Sequence, residues 1–395
     1  MQRRHDIDAL RALAFALVIL YHVAMYYVAG WHWHLKSPHE ADWLQWPMRA
    51  LNLWRMDLVF LISGLAIGFL RRGQTGGALL RQRSLRLLLP LAFGMAVIVP
   101  FQPYAQALAN GSIVPGFGDF LLRYYTGGPW PRDAFDGSYA GVTWNHLWYL
   151  AYLWVYTVAL VLLLPLLDSR WGVRLRQGFL GLRGARLLVL PLLPLLAASV
   201  LLWPHFPPTH DLAGDGWLHA VYFTLFLYGY WIGVDAGWWR EVTRLRWTLL
   251  LVSALGLALY LVLRAQAGKP WLPARLAADF SMWSTLLCVL GWAHHKLNRP
   301  WPWLAWANAS VYPWYVLHQT LIIVLVFWLA PLALGPVLEP VLLVAGTVLG
   351  CWALTALIRR SAWLRPLFGL ARVRPPAPPR YPSPASPERP AARSA

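Results

Sequence analysis

Apolar residues in this chain run in long blocks, and short clusters of arginine separate them. Ten blocks are long enough to cross a bilayer as helices, roughly residues 9–29, 50–70, 86–108, 145–167, 187–203, 217–237, 247–265, 275–294, 308–330 and 337–358. A spanning helix needs about 20 predominantly apolar residues. The shortest block, 187–203, is the weakest of the set. The basic residues fall on alternate sides of a ten-span arrangement. Arg3, Arg4, Arg71, Arg72, Arg81, Arg83, Arg86, Arg170, Arg174, Arg176, Arg183, Arg186, Arg240, Arg244, Arg246, Lys296, Arg299, Arg359 and Arg360 share one side. The opposite loops hold only Lys36, Arg49, Arg123, Arg132, Lys269 and Arg275. Positive charge marks the cytoplasmic side. The expected fold is therefore all-α and integral to the membrane, with about ten transmembrane helices and both termini cytoplasmic.

Composition agrees. The chain is 58% hydrophobic and 13% charged, against about 25% charged in soluble domains. Its net charge of +18 invites a nucleic-acid reading. The clustering of that charge between apolar spans points instead to membrane orientation, so no nucleic-acid partner is expected. Both cysteines, Cys288 and Cys351, lie in apolar spans and imply no disulfide or metal framework. The first span is too long for the apolar core of a cleavable signal, and none is expected. Residues 1–370 read as one membrane domain without internal repeats. Residues 371–395 are Pro-rich and basic and read as a disordered cytoplasmic tail.

Polar residues inside apolar spans carry the candidate chemistry, because a charge at that depth is costly. The first span contains Arg11 and His22. Eleven residues return nearly to the same helix direction, so both share one face about 16 Å apart. Arg11 then lies near the cytoplasmic end and suits phosphate, while His22 lies toward the far end and suits general-base work. Alternatively, Arg11 snorkels to the headgroups and His22 bonds another helix. Asp8, one turn before Arg11, is placed to orient its guanidinium. The second span holds Arg55 and Asp57, two apart and so not facing each other. Its Ser63, Gly64 and Gly68 permit close helix approach. His146 opens the fourth span and His318 sits near the middle of the ninth, after Pro313. His32, His34 and His39 share the first external loop, but no carboxylate or Cys arrangement completes a metal site. The external segments 30–49 and 109–144 are long enough to be functional.

Four motifs in order resemble a known family: Arg11 and His22 separated by ten residues, FLISG at 60–64, HLWYL at 146–150 and SVYPWYVLHQ at 310–319. Together they resemble the integral-membrane acyltransferase 3 family over residues 5–360. Within it, RMDLVFLISG at 55–64 and WNHLWYL at 144–150 most resemble the glucans biosynthesis protein C branch, thought to succinylate periplasmic glucans. Tyr149 departs from the Phe usual in that branch. The resemblance implies a multi-pass protein of the bacterial inner membrane that moves an acyl group from cytoplasmic acyl-CoA to a hydroxyl of a periplasmic or cell-surface glycan, with the His of the first span essential. Succinyl-CoA or acetyl-CoA would be the donor substrate, and no permanently bound cofactor is expected.

On this reading His22, His146 and His318 are the catalytic candidates. Arg11, Asp8 and Arg86 would bind CoA, and Arg55, Asp57 and Trp148 would bind the acceptor. His22 would act either as general base or as a transient acyl carrier. A transporter or flippase of a glycan is the alternative, since intramembrane Arg and His suit that as well.

Overall fold

The computed structural model describes residues 4–371, apart from 234, 267 and 269. The expected disordered tail thus lies outside the described residues, except for residue 371. Among the described residues there is no strand beyond an isolated bridge between Val28 and Ala41. The principal helices are α1 (His5–Tyr27), α2 (Arg55–Leu70), α3 (Gly76–Phe93), α4 (Trp148–Leu167), α5 (Leu192–Leu202), α6 (Gly216–Ile232), α7 (Arg246–Ala265), α8 (Trp271–Leu297), α9 (Leu304–Leu329) and α10 (Gly335–Arg360).

Local sequence explains how these helices run. α1 has no Gly or Pro and continues until Val28 turns extended. α3 runs through Pro90 into a wider, π-helical stretch, Gly94–Ile98. Pro100 then follows, and Gly76–Ile98 and Phe101–Ala109 meet at a 42° bend. A π turn next to a proline without an N–H is a sufficient cause. α2 and α6 approach backbone to backbone. A Cβ on Gly64 would fall 1.9 Å from the Phe226 carbonyl oxygen, and one on Gly229 would fall 1.9 Å from that of Leu61. The close approach expected of Gly64 is therefore reciprocal, with Gly229 as its counterpart.

Among the described residues, eight helical segments are long and apolar enough to cross a membrane, or nine if the bent pair is one span. Ten were expected. The remaining block is α6, whose 17 residues span about 26 Å, the lower limit for a crossing. Its ends nevertheless lie far apart in the bundle. Asp215, just before α6, accepts a hydrogen bond from Tyr152 near the start of α4. The Gly233 carbonyl, just after α6, accepts one from Arg4 at the amino end of α1.

Directions follow from contacts. α9 lies beside α1 and runs parallel to it, because Arg11 meets Asn308 and His22 meets His318. α4 runs the opposite way. His146, just before it, packs against His318, and Leu164 near its end lies against Gly76.

Candidate active site

The two polar residues of α1 share a partner helix. Arg11 Nε donates to Asn308 Oδ1 at 2.9 Å, Nη2 reaches the same oxygen, and Asp8 accepts from Nη2 at 3.4 Å. One turn of α1 thus holds Asp8 against Arg11, as the three-residue spacing requires. Farther along, His22 Nδ1 lies 2.8 Å from His318 Nε2. The rings stack at 21°.

Backbone carbonyls decide the protons in this pair. His318 Nδ1 faces the carbonyl oxygens of Trp314 and Tyr315 at 3.1 and 2.9 Å. A carbonyl only accepts, so Nδ1 carries the hydrogen. In the neutral ring, Nε2 of His318 is then an acceptor. His22 must donate to it through Nδ1–H, which leaves the lone pair of His22 on Nε2. The bond made by one ring nitrogen sets which nitrogen can do chemistry.

His146 is bonded at both nitrogens. Its Nε2 lies 3.2 Å from the Val316 carbonyl, which only accepts, and its Nδ1 accepts from Gln102 at 3.3 Å. Its ring stands edge-on to His318 at 5.1 Å. It belongs to a polar chain that reaches from the sequence motifs to residues outside them. Gln319 Nε2 donates to Gln102 Oε1 and to His34 Nε2, both at 3.0 Å, and His34 Nδ1 donates to Gln106 at 2.7 Å. Gln106 in turn meets Asp136, which also pairs with His32. Burial pushes the Asp136 carboxyl up, but His34, His32 and Gln106 outweigh it and hold the group below the ordinary carboxylate range. Burial holds the His34 imidazole below its ordinary value, and Asp136 only partly opposes this.

Two cavities flank this core. The larger, about 610 Å³, is lined by His22, Arg55, Asp57, His146, Trp148 and Tyr222 among others. The smaller, about 400 Å³, lies at the amino end of α1 and is lined by Arg4, Asp8, Arg11, Arg83 and Arg86. Phe15, Val59, Tyr149 and Tyr315 line both. Tyr149 uses its hydroxyl at this waist, bonding Ser63 Oγ at 2.5 Å. A Phe could not make that contact.

The predicted residues thus separate into two groups, with the histidines and the Arg55–Asp57–Trp148 set apart from Asp8, Arg11 and Arg86. Arg86 stacks on Tyr312 at 5.0 Å. Trp148 lies 4.4 Å from the His210 ring. Arg55 and Asp57 form no ion pair with each other, and the guanidinium of Arg55 sits 3.4 Å over the Tyr21 ring. Sequence reasoning missed Asn308, Gln102 and Gln319. It also read Arg275 as a loop residue, whereas Arg275 pairs with Asp279 at 2.5 Å in the larger cavity. Gln319 follows His318 directly, and that adjacency was the one available signal.

An Acyltransferase domain model matches residues 4–356. No curated protein and no solved structure gives a match. A match over nearly the whole chain joins the all-helical bundle and the four ordered motifs: this multi-pass membrane protein belongs to the acyltransferase 3 family.

Proposed function

We propose that the protein is an O-acyltransferase of the bacterial inner membrane. It takes succinyl or acetyl from cytoplasmic acyl-CoA and transfers it to a hydroxyl of a periplasmic or cell-surface glycan. The observation that carries this reading is the free Nε2 of His22, in a cavity that meets an arginine-rich cavity across four side chains.

The smaller cavity suits the donor. Arg4, Arg11, Arg83 and Arg86 line it, and guanidinium forks match phosphate oxygens. The amino end of α1 then faces the cytoplasm, in agreement with the positive-inside pattern. The pantetheine arm carries the thioester past Phe15 and Tyr149 toward His22. The larger cavity receives the glycan, with Trp148 as a platform for an apolar sugar face.

The chemistry follows from the proton positions. His22 Nε2 takes the proton of the acceptor hydroxyl as the oxygen attacks the thioester carbonyl. His318 Nε2 accepts from His22 Nδ1–H and stabilises the imidazolium, the role an orienting acceptor has beside a histidine base. As the C–S bond breaks, the imidazolium returns its proton to sulfur, releasing the ester and CoA thiol. His146, bonded at both nitrogens, positions His318.

The test is direct. Purified protein in nanodiscs, given labelled acyl-CoA and periplasmic glucan or surface polysaccharide, should produce ester-linked label. Mass spectrometry of glycans from a deletion strain should lose one acyl mass. A deletion strain with unchanged acylation of every surface and periplasmic glycan, together with no ester formed in vitro, overturns the reading.

A further inference from the structure

We propose that His210 recognises the acceptor: its imidazole, held beside Trp148 in the larger cavity, bonds a sugar hydroxyl other than the one that is acylated. This rests on the glycan-acceptor reading of that cavity and assigns a recognition residue within it.

His210 lies in the loop between α5 and α6 and lines the cavity that holds His22. Hydrogen bonds fix this loop. The fully buried Asp215 accepts from Thr209 N and Oγ1 at 2.6 and 2.9 Å and from His210 N at 2.8 Å. Tyr152 Oη donates to the same carboxylate and accepts from Leu212 N. The His210 carbonyl accepts from Trp144 Nε1 at 3.0 Å. So held, His210 has a φ of 61°, which is uncommon for a residue with a Cβ and free to glycine. Leu212 shares this left-handed region at 74°, and its side chain packs on the apolar core. The His210 side chain has no such anchor. Its ring meets Trp148 at 4.4 Å, and both ring nitrogens lack a hydrogen-bond partner among the described residues. A side chain kept at a strained position, with its polar atoms unused, needs a reason beyond the fold, and a ligand supplies one.

The chemistry of the pair suits a sugar. His22, His146 and His210 all line the larger cavity. His146 is bonded at both nitrogens and His22 at one, so His210 is the imidazole with both to offer. The ordinary imidazole value of about 6.5 leaves the ring mostly uncharged near neutral pH. One nitrogen then donates and the other accepts. A hydroxyl also does both, whereas the guanidinium of Arg55 in the same cavity only donates. The imidazole is smaller than the indole, and the two planes meet at 44°. Part of the Trp148 ring therefore stays open for the apolar face of a pyranose, whose rim hydroxyl meets the imidazole edge.

The test uses the full-length protein in nanodiscs, with acetyl-CoA and succinyl-CoA as donors and periplasmic glucan and surface polysaccharide as acceptors. His210→Gly removes the imidazole and relaxes the backbone. His210→Asn tolerates the left-handed φ and keeps a donor and an acceptor. KM for the glycan should rise roughly three- to tenfold in His210→Gly, the worth of a neutral hydrogen bond, with kcat and acyl-CoA binding unchanged. His210→Asn should recover part of the loss. The melting temperature of His210→Gly should not fall, because glycine fits this φ. An unchanged glycan KM in His210→Gly overturns the proposal. A lower KM also overturns it, by showing that the imidazole obstructs Trp148. So does a melting drop with equal loss of donor binding and glycan KM, which marks a structural residue, and so does a loss confined to kcat. Failure of wild type to esterify either glycan overturns the glycan-acceptor reading itself, an outcome distinct from an unchanged KM.

Discussion

His318 Nε2 accepts the hydrogen of His22 Nδ1 across 2.8 Å, and it can do so only because two backbone carbonyls hold the other nitrogen of His318. His22→Ala should abolish acyl transfer while the protein still inserts. His318→Ala should lower kcat about a hundredfold or more, the scale on which positioned acid–base groups act. His318→Gln should recover part of this, since an amide oxygen can accept from Nδ1–H. Equal kcat for His318→Ala and wild type in the nanodisc assay would remove His318 from the mechanism.

Arg11 should act on the donor alone. Arg11→Ala should weaken acyl-CoA binding roughly tenfold to a hundredfold, as expected for losing a charge-assisted contact worth about 1.5–3 kcal/mol. Arg11→Lys should rescue it partly, since an ammonium lacks the fork. Asn308→Ala should move binding in the same direction by less, because Asn308 only holds the guanidinium. Unchanged titration isotherms for Arg11→Ala would transfer the phosphates to Arg83 and Arg86.

Gly64→Ala should destabilise the bundle. The added Cβ meets a backbone carbonyl at 1.9 Å, so α2 and α6 must separate. Overpacking of this kind costs about 1–3 kcal/mol and occasionally more. Thermal unfolding in detergent should show a lower melting temperature for Gly64→Ala, while Gly77→Ala, which meets nothing within 4 Å, should leave it unchanged.

Acid should loosen the packing of Asp136 against residues 32–34. The Asp136 carboxyl and the buried His34 imidazole both lie below their ordinary values. In both cases the unfolded chain binds protons more readily, so stability falls as pH falls. Loss begins below the ordinary imidazole value of about 6.5 and continues as Asp136 titrates, below the ordinary carboxylate range. Hydrogen exchange over residues 130–140 should rise across that window, and Asp136→Asn should flatten its carboxylate part. Exchange that is flat from neutral pH to below the carboxylate range would contradict the docking role.

Orientation is checked by reporter fusions. Positions 75, 178 and 242 should read cytoplasmic and 38, 125 and 210 external. An external signal at 178 would invert the donor and acceptor sides.

What was legible in the sequence was whatever a helix repeat alone encodes. Arg11 and His22 share a face because of their spacing, and the structure gives them Asn308 and His318 on one parallel helix. Asp8 reaches Arg11 for the same reason. Cross-helix partners have no such repeat. Gln102 meets His146 across 44 positions and Gln319 meets His34 across 285, and nothing local marks an amide as buried. Among the described residues the expected ten spans became nine because α6 is short, and eight where the bent pair is not counted as one span; contacts with Tyr152 and Arg4 mark the two ends of α6. Arg275 looked like a loop charge because an arginine at a span boundary reads alike whether it snorkels outward or pairs inward with Asp279.

Phe15, Val59, Tyr149 and Tyr315 each touch both cavities, so a single layer of side chains stands between the two chambers. A slender thioester arm can part such a layer, but a hydrated ion would have to shed its water against aromatic rings. If donor and acceptor arrive from opposite faces as proposed, the bilayer around the protein can hold its voltage while they react. On that proposal the transfer needs a window the width of one acyl chain, not a conducting pore.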